Sequence, residues 1–151
     1  MPKPPDKPTF FLDECFGRFE VPGLLRQAGM NIELHADHFP TGCRDEDWLP
    51  TVGQRGWIVI TKDSRFRYRP LERKAYTDAK AIVFVLRGKD MSGREIAEAL
   101  IAAYRKMERI VRRYRRPMIA TVSRSGSVTV KEGKPRYAKK SAQNRSDTTR
   151  R

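Results

Sequence analysis

Trp57-Ile58-Val59-Ile60-Thr61-Lys62-Asp63 is an apolar run that ends abruptly in charge. Five residues without a polar break, rich in β-branched side chains, predict a strand buried on both faces. Such strands belong to parallel sheets covered by helices on either side. A second run of the same kind, Ala81 to Leu86, lies just downstream. Between them Pro70 to Lys80 reads as a helix, with Pro70 suited to the first position, where its missing N–H costs nothing.

Outward from that core the alternation continues. Thr9-Phe10-Phe11-Leu12-Asp13 predicts a short buried strand ending in a carboxylate, and Ile32-Glu33-Leu34-His35 a second. Val21, Leu24, Leu25 and Ala28 recur at helical spacing, closed by Gly29. Asp45-Glu46-Asp47-Trp48-Leu49 opens another helix, its first-turn acids complementing the helix dipole. Ser92 and Glu95 form a capping box. From there Ile96, Leu100, Tyr104, Met107, Val111 and Tyr114 mark one face of a long helix stopped by Pro117. Met118 to Val122 and Val128 to Val130 flank Ser-Arg-Ser-Gly-Ser and predict a closing hairpin. The class is α/β in three layers: a mostly parallel central sheet, helices on both faces and a C-terminal β-hairpin.

The 151 residues suit one compact domain over 9–130, with a Pro- and Lys-rich lead-in over 1–8 and a basic tail over 131–151 expected to be disordered. No apolar run approaches the roughly 20 residues of a spanning helix, which argues against a membrane protein. The opening Met1-Pro2-Lys3-Pro4-Pro5 lacks the apolar stretch of a secretory signal. Two cysteines, Cys15 and Cys43, form no disulfide framework, so a cytoplasmic location is expected.

The net charge of +14 is unevenly spread. Residues 1–61 hold nine Asp/Glu against six Lys/Arg, while the remainder holds nine against 26. A basic surface attracts a polyanion, and an acidic cluster set into it can hold a cation.

Three acidic features stand where an open α/β sheet binds its ligands, beyond the carboxyl ends of its strands. Asp13 ends the first strand and is followed by Glu14; Asp63 follows the Trp57–Thr61 run. Asp45, Glu46 and Asp47 open the helix that precedes that run. Singly, each is an ordinary turn or capping residue; together, at one sheet edge, they predict a site for a hard divalent cation. Such an ion lowers the pKa of an attacking water and neutralises a leaving oxygen at phosphorus.

Phe11-Leu12-Asp13-Glu14, then Asp45-Glu46, then Val59-Ile60-Thr61-Lys62-Asp63 resemble, in order and spacing, the motifs of compact PIN-like domains. The continuation through Arg65, Arg67, Pro70 and Glu72-Arg73 to Ile82–Leu86 is similar to a subgroup of VapC-type toxins. The resemblance implies a ribonuclease that uses Mg²⁺ or Mn²⁺, acts on RNA and is blocked by a cognate antitoxin. It implies Asp13, Asp45 and Asp63 as metal ligands, with Glu46 as alternative or helper. Many PIN domains carry a further acid soon after the last of these, but Ser64, Arg65, Phe66 and Arg67 follow here.

Lys62, Arg65, Arg67 and Arg69, with Phe66 and Tyr68 interleaved, make this loop the first choice for RNA contact. Arginine pairs bidentately with phosphate, and aromatic faces stack unpaired bases. The apolar stripe of the long helix is read as core, or as a surface for a homodimer or antitoxin. Its basic face, Arg105 to Arg116, either extends the RNA track or is solvated. His35, His38 and Cys43 lack the spacing of a zinc site, Cys15 is read as packing, and Trp48 and Trp57 as core. No GxGxxG or Walker motif points to a nucleotide cofactor. The alternative function is a noncatalytic nucleic-acid-binding module of the same fold. A phosphoacceptor switch of receiver type is disfavoured, because no strand ends in the lysine it needs.

Overall fold

The computed structural model describes residues 7–137, and within them not the side chains of Phe66 and Arg67. Most of the lead-in and the tail beyond Tyr137 lie outside the described residues. In chain order the elements are β1 (Thr9–Leu12), α1 (Glu20–Gln27), β2 (Asn31–Leu34), α2 (Asp45–Gln54), β3 (Ile58–Thr61), α3 (Pro70–Ala79), β4 (Ile82–Leu86), α4 (Gly93–Arg113), β5 (Met118–Val122) and β6 (Val128–Glu132). Short 3₁₀ turns follow β1, β2 and β3, at Glu14–Phe16, His35–Asp37 and Ser64–Arg67. No helix among the described residues is long and apolar enough to cross a membrane.

The sheet runs β2-β1-β3-β4-β5-β6, parallel through β5, with β6 antiparallel at the edge. Register ties sequence to layer. Phe10, Ile58, Ile82 and Met118 lie in one row across the strands. Together with Leu12, Ile60, Phe84 and Ala120 they pack against α1 and α4. Their strand neighbours Phe11, Val59, Val83, Val85 and Ile119 point the other way, onto Trp48, Leu49 and Val52 of α2 and Tyr76 of α3. Every position of β3, β4 and β5 is buried between the two helical layers, which is why these strands read as nearly unbroken apolar runs.

Helix α4 is the exception to an otherwise regular winding. The chain steps from β3 to β4 to β5 in one direction, yet α3 lies on one face and α4 on the other. The β4–α4–β5 crossover therefore has the opposite hand to β3–α3–β4, against the strong preference of parallel units. Its capping box forms as expected, between Ser92 and Glu95. The apolar stripe is used on the sheet, leaving Ile101 as the one exposed large apolar residue of α4.

Several boundaries differ from the sequence reading. Trp57 precedes β3 and is half-buried, stacked on Phe11 at 5.9 Å, with the Arg55 guanidinium 4.9 Å above its ring. His35 leaves β2 for a 3₁₀ turn and is buried there. The described fold continues past Val130: β6 runs to Glu132, Pro135 bridges to Tyr114, and Arg136 N–H donates to Arg113 O.

Candidate active site

The order of strands reverses at β1, which has β2 on one side and β3 on the other. A crevice opens beyond the carboxyl ends of strands at such a point. Leu12 pairs with Ile60, so the next residues, Asp13 and Thr61, emerge side by side. Asp13 N–H donates to Ile60 O at 3.1 Å, extending the ladder by one bond.

Thr61 is fully buried and joins the two strand ends. Its hydroxyl donates to Asp13 Oδ2 at 2.7 Å and accepts from the Asp63 N–H at 3.0 Å. The other Asp13 oxygen, Oδ1, accepts from the Glu14 N–H at 2.8 Å and so caps the 3₁₀ turn. Asp63 caps its own turn, accepting from the Arg65 N–H at 2.9 Å. Its carboxylate is also gripped by the Arg65 guanidinium through Nε and Nη2.

The cleft around these groups encloses about 940 Å³. Asp13, Asp45, Asp63, Glu46, Lys62, Arg65 and Arg69 all line it, so it brings together every candidate whose side chain is described. The Arg67 side chain lies outside the described ones. Counting Glu14 and Glu72, six carboxylates face four basic groups.

Electrostatics are uneven across the set. Burial, followed by the charges of Asp13, Asp63 and Glu72, pushes the Asp45 carboxyl up from 3.8 to about 7. Burial also acts to raise Asp63, but the hydrogen bonds and charge of Arg65, with Arg69 beyond, outweigh it and hold that carboxyl below the usual range. Among the described residues no three His, Cys, Asp or Glu side chains converge closely enough to hold an ion as they stand. The reason is visible in the bonds: Asp63 faces Arg65, and both Asp13 oxygens are engaged.

Even so, the residues fit a hard cation. The donors are carboxylate oxygens, the kind such ions take. Asp45, raised by burial and then by the charges of Asp13, Asp63 and Glu72, stands where a positive partner is favoured.

Two side chains matter here that the sequence reading did not single out. Glu72, in the first turn of α3, supplies an acid where the residues directly after Asp63 supply none. Its signal was the one used for Asp45: an acid in the first turn of a helix at the carboxyl edge of the sheet. Thr61 was legible as the sole polar residue of an apolar strand. Cys15, read as packing, is instead exposed and lines the cleft. His38 pairs with Glu33 at 2.8 Å, while His35 is buried against Phe11, Phe39 and Trp48.

Strand order and cleft define a compact α/β domain whose switch-point crevice gathers acids from the ends of β1 and β3 and the first turns of α2 and α3. The family model described as "PIN like domain" matches residues 8–88, which holds this crevice, and the chain belongs to the PIN-like domain family. A Mycobacterium tuberculosis protein named "Putative ribonuclease VapC45" is 30% identical over 129 residues, covering 83% of this chain and 93% of that one. No solved structure matches the chain at a significant level.

Proposed function

We propose that this chain is a divalent-metal-dependent endoribonuclease, the toxin of a toxin–antitoxin pair, acting on RNA in the cytoplasm. The observation that supports the reading is that Asp13, Asp45 and Asp63 line one cleft, with Asp45 raised by burial and by its acidic neighbours. The name of the Mycobacterium relative, which spans nearly the same length, supports ribonuclease chemistry.

In this reading Asp13, Asp45 and Asp63 hold Mg²⁺ or Mn²⁺, with Glu46 and Glu72 available as further acids. The bound ion would supply a water of lowered pKa and a countercharge for the leaving oxygen. The chain supplies the rest. Thr61 orients Asp13 through its hydroxyl and keeps Asp63 in register through the N–H of that residue. Lys62 and Arg69 line the cleft rim and bind the phosphodiester backbone. Arg65, paired with Asp63 here, is the third candidate for that role.

The test is cleavage of single-stranded RNA with Mg²⁺, with Mn²⁺ and with chelator, beside an Asp13→Asn/Asp63→Asn double variant. Metal-dependent cutting by the wild type alone is expected. Equal behaviour of both proteins, with RNA bound but uncut, would establish the noncatalytic module instead.

A further inference from the structure

Glu14 follows Asp13 directly and lines the same cleft, yet its carboxylate is bound to a backbone amide. Both oxygens accept from the Gly42 N–H, at 3.2 and 3.3 Å. Another partner lies near. The His35 ring is buried, neither of its nitrogens has a hydrogen-bond partner, and Nε2 lies 3.9 Å from Glu14 Oε1, beyond bonding range. The carboxylate thus sits on a backbone amide in preference to a neighbouring imidazole.

That amide belongs to a strategic segment. Gly42 has φ +79°, a left-handed conformation that favours glycine, and Cys43 N–H donates to Pro40 O at 3.1 Å to close the turn. Arg44 then serves as the N-cap of α2 without a side-chain cap bond, and Asp45 is the first helical residue. Trp48, Leu49 and Val52 anchor the body of α2 in the core. Ahead of them Phe39 and Cys43 pack half-buried on the same core, but Pro40, Thr41 and Gly42 between them are exposed. Meanwhile Asp13 and Asp63 repel the Asp45 carboxylate that this segment delivers. The Glu14 bond is the side-chain tie on that exposed stretch.

We propose that Glu14 is a positioning residue: through the Gly42 N–H it ties the segment entering α2 to the end of β1, and so fixes where Asp45 stands relative to Asp13. The inference rests on the reading of Asp13 and Asp45 as metal ligands. Glu14 acts through the loop and takes no place on the metal.

Three variants test it: Glu14→Ala, Glu14→Gln and, as reference, Asp45→Asn. In the metal-free protein, hydrogen exchange of the Gly42 amide should speed up about tenfold in Glu14→Ala. It should stay near the wild-type rate in Glu14→Gln, whose carbonyl still accepts. Mn²⁺ affinity measured by titration should fall about tenfold in Glu14→Ala and recover in Glu14→Gln. Unchanged Gly42 exchange in Glu14→Ala overturns the link itself. Loss of Mn²⁺ in Glu14→Gln, with Gly42 still protected, overturns it differently, since Glu14 would then be a ligand. If Asp45→Asn leaves Mn²⁺ binding intact, the metal reading fails whatever Gly42 does, and the purpose assigned to Glu14 fails with it.

Discussion

Removing one of the proposed metal-binding acids should make the metal-free protein more stable, and Asp45→Asn is the variant that shows it. In the folded chain the Asp45 carboxyl keeps its proton until about pH 7, against 3.8 for the ordinary group. Between those values the folded state binds more protons than the unfolded state. Stability therefore declines as pH rises through that window, and the loss is complete above it. A shift from 3.8 to about 7 sets an upper limit of about 4 kcal/mol, at about 1.4 kcal/mol per tenfold change in proton affinity. The side chain is only partly buried, and solvent screening reduces this to about 1–2 kcal/mol. Asparagine removes that cost but also a first-turn acid at the helix N-terminus, which is worth about 0.3–1 kcal/mol. Burial and repulsion together outweigh the lost helix interaction, so a net gain of about 1 kcal/mol remains.

For a domain of this size that gain corresponds to a rise of about 3 °C in Tm. The assay is thermal unfolding of chelator-treated wild type and Asp45→Asn at pH 5 and pH 8. The variant should melt higher at pH 8, with the advantage shrinking at pH 5, where the wild-type carboxyl is already protonated in the folded state. Adding Mn²⁺ should reverse the order by raising the wild type alone. An Asp45→Asn protein that melts no higher than wild type at pH 8 would refute the claim that the acids strain one another.

Mn²⁺ binding by the wild type should weaken as pH falls below about 7, because the Asp45 proton competes for the site, and calorimetry in buffers of different ionisation enthalpy should detect proton release. Thr61→Val preserves shape but breaks both hydroxyl bonds, so RNA cleavage should fall about 10- to 100-fold in kcat while the fold survives. Trp48→Ala empties the packing between α2 and the sheet and should cost about 3–5 kcal/mol in denaturant unfolding. Arg69→Ala should lower RNA affinity without regard to sequence and reduce the slope of log affinity against log salt by about 0.7, as read by fluorescence anisotropy.

The sheet was legible because its strands are buried on both faces. Ile58-Val59-Ile60 and Ile82–Leu86 have no solvent side, so no polar residue interrupts them. Asp13 and Asp63 were legible for a related reason: a carboxylate directly after such a run must sit at the sheet edge. Asp45 was found through its place in a first helical turn. What periodicity cannot carry is the face on which a helix lands, and so the opposite-handed crossover of α4 was invisible. It also cannot show contacts made across the sheet. Thr61 bonding Asp13, Glu14 reaching Gly42 and Arg65 closing on Asp63 each depend on a register that only the folded chain defines. Trp57 and His35 were misplaced by a residue or so, because an aromatic ring packs well both at a strand end and just beyond it. The extent of β6 was hidden by Lys131 and Glu132, whose charges resemble the tail although their backbone completes an edge strand.

Two positive partners offset the acids of the cleft. One is the proton that Asp45 retains to about pH 7; the other is the Arg65 guanidinium on Asp63. Each answers the same problem, which is that the acids from β1, α2 and β3 cannot all be ionised, partly buried and unpaired together. The partners are unequal. The proton on Asp45 departs into the solvent, whereas Arg65 is tethered two residues from its carboxylate and must remain at the cleft when it lets go. Proton and guanidinium carry two positive charges between them, the charge of one divalent ion. Uptake of such an ion would release the proton but keep Arg65 at the cleft, so the net charge there would rise by one. It also turns Arg65 from an internal partner into a free cation beside Lys62 and Arg69, where the phosphate backbone of RNA is proposed to lie. On the proposed reading, Arg65 takes the place of the acids absent just after Asp63. It holds Asp63 ionised in the metal-free protein and would then be available to the substrate.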